Sequence, residues 1–158
     1  MIMMRIIAAT LVGIFLFGEA HAAGSIAYGS RVGMEVTVVG VSGIGTSHAV
    51  IRVKHTRENA KTFCTEYEQD QSEECVDRVL RETRLNDQLE GNCESGWFIS
   101  LYGERLRFIG EAKHRGEVDP KYIILRDRRP LDGTSASGYG YDLSQFEALC
   151  PARAFGLD

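Results

Sequence analysis

The stretch Val32–His55 reads VGMEVTVVGVSGIGTSHAVIRVKH, and its pattern decides the fold class. β-Branched residues alternate with other types through Val32–Ser42 and again through Ser47–His55. A period of two is the signature of a strand with one buried face. Gly43-Ile44-Gly45-Thr46 separates the runs as a four-residue turn, so the stretch predicts a β-hairpin. Downstream the period becomes helical. Ala60, Phe63, Cys64 and Tyr67 recur at i, i+3, i+4 and i+7 on a helix of about Arg57–Glu68 that Thr56 can cap. Cys75, Val76, Val79 and Leu80 make a similar stripe on a helix of about Glu73–Arg84, which Ser72 starts with Glu73 and Glu74 in its first turn. Glu68–Gln71 is polar and reverses the chain between them.

Further along, Asn86–Ser95 reads as a polar connection carrying Cys93. Trp97–Tyr102 and Arg105–Ala112 form a second hairpin around Gly103-Glu104, and Tyr122–Asp127 is a further strand after the Asp119-Pro120 interruption. Pro130–Tyr141 is rich in Gly and Ser and reads as an ordered loop. Asp142 with Gln145 three residues on predicts a capping box for a short last helix, which buries Leu143, Phe146, Leu149 and Cys150 and stops at Pro151. The order is ββααβββα. The predicted fold is α+β: an antiparallel sheet, a disulfide-pinned helical hairpin and a short C-terminal helix.

The N-terminus carries a different signal. Arg5 precedes an apolar run, Ile6–Gly18, and Ala20-His21-Ala22 places small residues at the −3 and −1 positions of a cleavage site. Residues 1–22 are expected to be a secretory signal peptide, and 23–158 a single domain in the periplasm or outside the cell. An apolar run of that length falls short of a bilayer core of ~30 Å, so no transmembrane segment is expected after cleavage. Removing Arg5 and Glu19 with the leader leaves the formal charge at −4. An acidic balance of 18 basic against 22 acidic residues excludes the basic surplus of a nucleic-acid binder.

All four cysteines, Cys64, Cys75, Cys93 and Cys150, follow the leader. Four cysteines allow about three pairings, and spacing alone does not choose among them. The antiparallel helical pair favours Cys64–Cys75, which leaves Cys93–Cys150 to tie the middle of the chain to its last helix. Metal ligation is not expected, because successive spacings of 11, 18 and 57 residues lack the close pairs of zinc sites. His48 and His55 are seven apart on a predicted strand and face opposite sides, and His114 falls in a loop. No cofactor motif is present: the Gly/Ser loop with Asp132, Thr134, Ser135 and Ser137 fits neither a phosphate loop nor a nucleophile elbow.

The second hairpin supplies the candidate ligand-binding face. A two-residue turn at Gly103-Glu104 would put Trp97, Ile99 and Leu101 in the core with Leu106 and Phe108. The opposite face would then show Phe98, Tyr102, Arg105 and Arg107, joined by Tyr122 and Arg126. Arginines interleaved with aromatics suit anionic or sugar-bearing ligands. Six carboxylates within Glu66–Asp77, with no basic residue among them, make the tip of the helical hairpin negative. Such a tip is usually a solvated surface.

Three stretches carry a resemblance: HTRENAKTFCTEY at His55–Tyr67 with Cys75 soon after, GWFISLYGERLRFIG at Gly96–Gly110, and LDGTSASGYG at Leu131–Gly140 followed by FEALCP. Together they resemble small secreted proteobacterial proteins with four cysteines. The resemblance implies a disulfide-bonded periplasmic domain and transfers no activity, cofactor or catalytic residue. The expected function is a non-catalytic binding or interaction domain, such as an inhibitor, an envelope-component binder or an accessory subunit. Its expected partner is an anionic envelope component or a protein. The alternative is a small secreted hydrolase of envelope polymers using Asp132 or a Glu as acid/base, which requires two titratable groups converging in a cleft.

Overall fold

A computed structural model describes residues 24–113 and 119–155. The expected leader and His114 lie outside the described residues. Eight strands form one antiparallel sheet in which each strand pairs with its neighbour in sequence. They are β1 (Ser25–Ala27), β2 (Glu35–Ser42), β3 (Ala49–Lys54), β4 (Gln88–Asn92), β5 (Trp97–Ile99), β6 (Arg105–Glu111), β7 (Tyr122–Arg126) and β8 (Arg129–Pro130). Helices α1 (Arg57–Phe63) and α2 (Glu73–Glu82) are inserted between β3 and β4, and α3 (Tyr139–Leu149) and α4 (Pro151–Phe155) follow the sheet. The class is α+β and antiparallel, with more strands than the sequence pattern shows.

The added strand that matters is β4. Gln88–Asn92 reads as loop because its alternation is weak, yet it pairs on one side with β3 and on the other with β5. Its inner face needs only Leu89, fully buried, and Gly91. A Cβ on Gly91 would come within 3.0 Å of Leu149 Cδ1, so glycine is what lets α3 lie close on this strand.

The helical hairpin follows its sequence signals. Thr56 caps α1 in a capping box with Asn59, and the Ser72 hydroxyl accepts from the Cys75 N–H to start α2. The first helix is shorter than its stripe. It ends at Phe63 and continues as a π-helical turn, Cys64–Glu68, closed by Gln69 in the left-handed region. The Cys64–Cys75 disulfide joins the two helices across a Cα separation of 6.1 Å, and Cys93–Cys150 joins the β4–β5 connection to the end of α3 across 5.3 Å.

Two hydrophobic clusters result. The larger lies between the inner sheet face and α3. It includes Val36, Ile51, Leu89, Phe98, Leu106, Phe108 and Ile124 from the strands and Phe146 and Leu149 from the helix. Phe108 and Phe146 stack at its centre, 4.3 Å between ring centroids. The smaller cluster is internal to the helical hairpin: Ala60, Phe63, Cys64, Cys75, Val76 and Val79. Met34 packs against both.

The last helix departs from expectation in its polar residues. Asp142 and Gln145 do not cap it. Asp142 lies in the first turn of α3 and Gln145 in the second, and both are fully buried. Gln145 accepts from the Leu101 N–H at 3.0 Å and donates to the Ala27 carbonyl at 2.9 Å, tying the helix to the β5–β6 connection and to β1. A cap at Asp142 is unnecessary because a 3₁₀ turn, Ser135–Ser137, leads into α3 through Gly138. Among the described residues no helix is long and apolar enough to cross a membrane.

Candidate functional site

The candidate site depends on which way β5 faces. Trp97 pairs with Arg107, Phe98 with Leu106, and Ile99 with Arg105. The connection is therefore the five residues 100–104 rather than a two-residue turn, held by the Ser100 N–H donating to the Glu104 carbonyl at 3.0 Å. An odd-length connection of this kind reverses the predicted parity. Phe98 points inward at 2 % exposure beside Phe146, and Trp97 points outward.

The six residues expected to share the outer face are thus divided. Arg105 and Arg107 remain on it, exposed. Phe98 is core. Tyr102 stands at the end of the sheet at 44 % exposure, its ring edge-on to Tyr28 at 6.4 Å and to Tyr141 at 6.1 Å. Partial burial, with Tyr141 and nearby carboxylates adding to it, pushes its hydroxyl up to about 12. Tyr122 packs on the Phe108 ring at 5.5 Å on the inner side, below the ammonium of Lys121. Arg126 pairs in register with Leu106, which puts it on the inner face as well.

There Arg126 serves an internal cluster. Its Nη2 donates to Glu104 at 2.8 Å and to Asp142 Oδ2 at 3.1 Å. Burial pushes the Asp142 carboxyl up to about 7, outweighing the attraction of Arg126. Asp142 Oδ1 and Arg126 Nε are buried without a hydrogen-bond partner among the described residues. Glu104 and Asp142 are the nearest approach here to a paired-carboxylate acid/base site. Asp142 has no exposed surface, however, so no substrate reaches it in this conformation.

The outer face of β3–β6 has a different character. Arg52 and Lys54 on β3 and Arg105 and Arg107 on β6 share it with one carboxylate, Glu90 of β4. The Arg105 and Arg107 guanidinium carbons lie 4.8 and 5.4 Å from the centroid of the Trp97 ring. Among the described residues no carboxylate pairs with either arginine. A guanidinium stacked on an aromatic ring keeps its in-plane N–H fork free for an oxyanion. Beside this stack lies an open groove of about 440 Å³, with Val50, Trp97 and Ile99 along it and His48, Glu90 and Arg105 among its polar lining.

The remaining candidates are occupied locally. Asp132 Oδ1 accepts from the Thr134 N–H at 2.9 Å and hydroxyl at 2.7 Å, which holds its carboxyl below the usual range. The Ser137 hydroxyl donates to the Thr134 carbonyl. His48 is in the β2–β3 turn rather than on a strand, where Nδ1 meets the neighbouring Ser47 hydroxyl at 2.9 Å. His55 follows β3 and packs edge-on against Tyr28, its pKa lowered by burial. At the acidic tip Glu68 pairs with Arg78, while Glu73 and Asp77 share Arg57. Among the described residues, the Cys64, Glu68 and Cys75 group is the one cluster with metal-ligand spacing, and its two sulfurs are bonded to each other.

No protein-family model, curated protein or solved structure matches this chain.

Proposed function

We propose that this is a non-catalytic, exported binding domain that takes an anionic partner, an envelope component or an acidic protein surface, on the outer face of β3–β6. The observation that carries the reading is the Trp97 stack, with two guanidinium groups against one ring and, among the described residues, no carboxylate paired with either. Four cations against one carboxylate make this face basic on a chain whose formal charge is −4. A local excess against the global sign favours an anionic partner. Export is supported by the leader-like residues 1–22 and by the pairing of all four cysteines, which suits an oxidising compartment.

The test is Arg105→Gln/Arg107→Gln in one protein, assayed by co-sedimentation with purified sacculi and with lipopolysaccharide at low and high salt. Salt-sensitive binding by the wild type, lost in the variant with stability unchanged within ~0.5 kcal/mol, supports the site. A large fall in stability, or no binding to either preparation, would show that these arginines only support the sheet. Intact-mass analysis of exported protein is expected to show a chain beginning at Ala23. A mass that retains residues 1–22 would overturn the export reading.

A further inference from the structure

The groove beside Trp97 has three kinds of lining, and sheet register fixes their order. One row across the strands runs Val50, Glu90, Ile99, Arg105, and the next runs Asn92, Trp97, Arg107. Each row passes from a polar group on β4, over an apolar side chain on β5, to a guanidinium on β6. Two strand spacings make that a span of roughly 10 Å. Val50, Trp97 and Ile99 are half-buried, so each presents a flank to the groove without any rearrangement. The groove volume of about 440 Å³ lies within the range of small-molecule sites, ~300–1,000 Å³.

An occupant that satisfies both rows needs an oxyanion at one end, an apolar face in the middle and hydrogen-bond donors at the other. The guanidinium forks of Arg105 and Arg107 take the oxyanion. Trp97 and Ile99 take C–H surface. Glu90 accepts from donors, and Asn92, whose Oδ1 accepts from the Ser95 N–H, can donate through its amide. Sugar rings bring these chemistries together: C–H faces, hydroxyls on the rim and, in an acidic sugar, a carboxylate or sulfate. An acidic peptide fits less well. Both β4 and β5 are hydrogen-bonded to a strand on either side, which leaves no edge in the groove for a peptide backbone to join. Glu90 would also repel a run of acidic side chains.

We propose that this groove binds an acidic glycan, its oxyanion on Arg105 and Arg107, a sugar ring against Trp97 and ring hydroxyls at Glu90 and Asn92. This rests on the reading of the outer face as an anion-binding surface and names the chemistry that carries the anion.

Trp97 is the single tryptophan of the chain, so its fluorescence reports the site directly. Titration of the purified, oxidised protein with trigalacturonate and with a sulfated galactose tetrasaccharide tests the proposal, against galactotriose and triglutamate. Saturable binding of an acidic glycan with a change in Trp97 emission is expected, at least tenfold tighter than galactotriose or triglutamate. The tighter of the two acidic glycans identifies the oxyanion. Arg105→Gln/Arg107→Gln should reduce its affinity to that of the neutral sugar, and Trp97→Ala, followed by calorimetry, should weaken it at least tenfold. Arginine-dependent sedimentation with sacculi or lipopolysaccharide, but no saturable binding of either acidic glycan, overturns the glycan and leaves the anion-binding face standing. Neither sedimentation nor glycan binding overturns both. Triglutamate binding as tightly as the acidic glycans overturns the proposal in favour of an acidic peptide, and unaltered binding in Trp97→Ala overturns the location.

Discussion

Replacing Asp142 by Asn should stabilise this protein at pH 8 and, by a smaller margin, at pH 5. In the fold the Asp142 carboxyl is pushed up to about 7 by burial on the inner side of α3, against an ordinary value of 3.8. Its folded-state pKa is raised, so the folded chain holds a proton that the unfolded chain has released. Stability from this group is therefore fully present below the unfolded value and is lost as pH rises through the folded one. Each pH unit in that window is worth about 1.4 kcal/mol, which gives a wild-type loss of roughly 2.5 kcal/mol between pH 5 and pH 8. Asparagine has nearly the shape of the neutral acid and does not titrate. Its oxygen can still accept from Arg126, which also keeps Glu104. Urea unfolding of both proteins at pH 5, 6.5 and 8, with disulfides intact, measures the difference, and titrating groups not coupled to Asp142, such as His55, cancel in the comparison. The variant's advantage should grow steadily with pH. A difference that is flat with pH, or one that turns against the variant as pH rises, would mean that Asp142 is ionised throughout and that its attraction to Arg126 outweighs its burial.

Other outcomes follow from the same geometry. Phe98→Ala should cost about 3–5 kcal/mol as a large-to-small change at the core, whereas Trp97→Ala should cost markedly less, and chemical denaturation of the pair checks the parity of β5. Gln145→Met keeps volume but strips the bonds from one buried and one part-buried backbone group, and a loss of about 2 kcal/mol is expected in the same assay. Removing Cys93–Cys150 as a double Ala variant should cost about 4 kcal/mol against about 3 for Cys64–Cys75, because the closed loop is longer, 57 against 11 in sequence separation. Thermal melts that rank the two in the opposite order would contradict the chain-entropy account.

The parts of the fold legible in the sequence are those whose pattern is local. Alternation gave β2 and β3, the helical stripes gave the hairpin, and Thr56 and Ser72 marked its starts. β4 was hidden because its outer residues, Gln88, Glu90 and Asn92, are polar and its inner side is only Leu89 and Gly91. What makes it a strand is pairing on both edges, which no window of five residues contains. The site was misread for a related reason. Trp97-Phe98-Ile99 is apolar on both faces, so only the length of the connection to β6 decides which ring is buried, and that length is fixed by tertiary bonds such as Gln145 to the Leu101 N–H. Arg105 and Arg107 alternate with Leu106 and Phe108 and were legible as outward. Arg126 was not, because a bulge between Phe108 and Gly110 shifts the register that places it. The burial of Asp142 left no mark that distinguishes it from a helix cap.

The strand order has a consequence for how the chain reaches this state. Every strand pairs with its predecessor, so the sheet can assemble in sequence from short-range closures, the largest of them spanning the helical hairpin between β3 and β4. The element that covers the inner face, α3, comes after all eight strands. Until it docks, Phe98, Phe108, Ile124 and Leu89 line an open apolar surface, the kind of intermediate that self-associates. Oxidation of Cys93 with Cys150 joins the helix end to the sheet, so it should be the late kinetic step that ends this vulnerable interval. A pulse-chase with thiol trapping would show Cys64–Cys75 forming first and a reduced, aggregation-prone species persisting until Cys93–Cys150 closes.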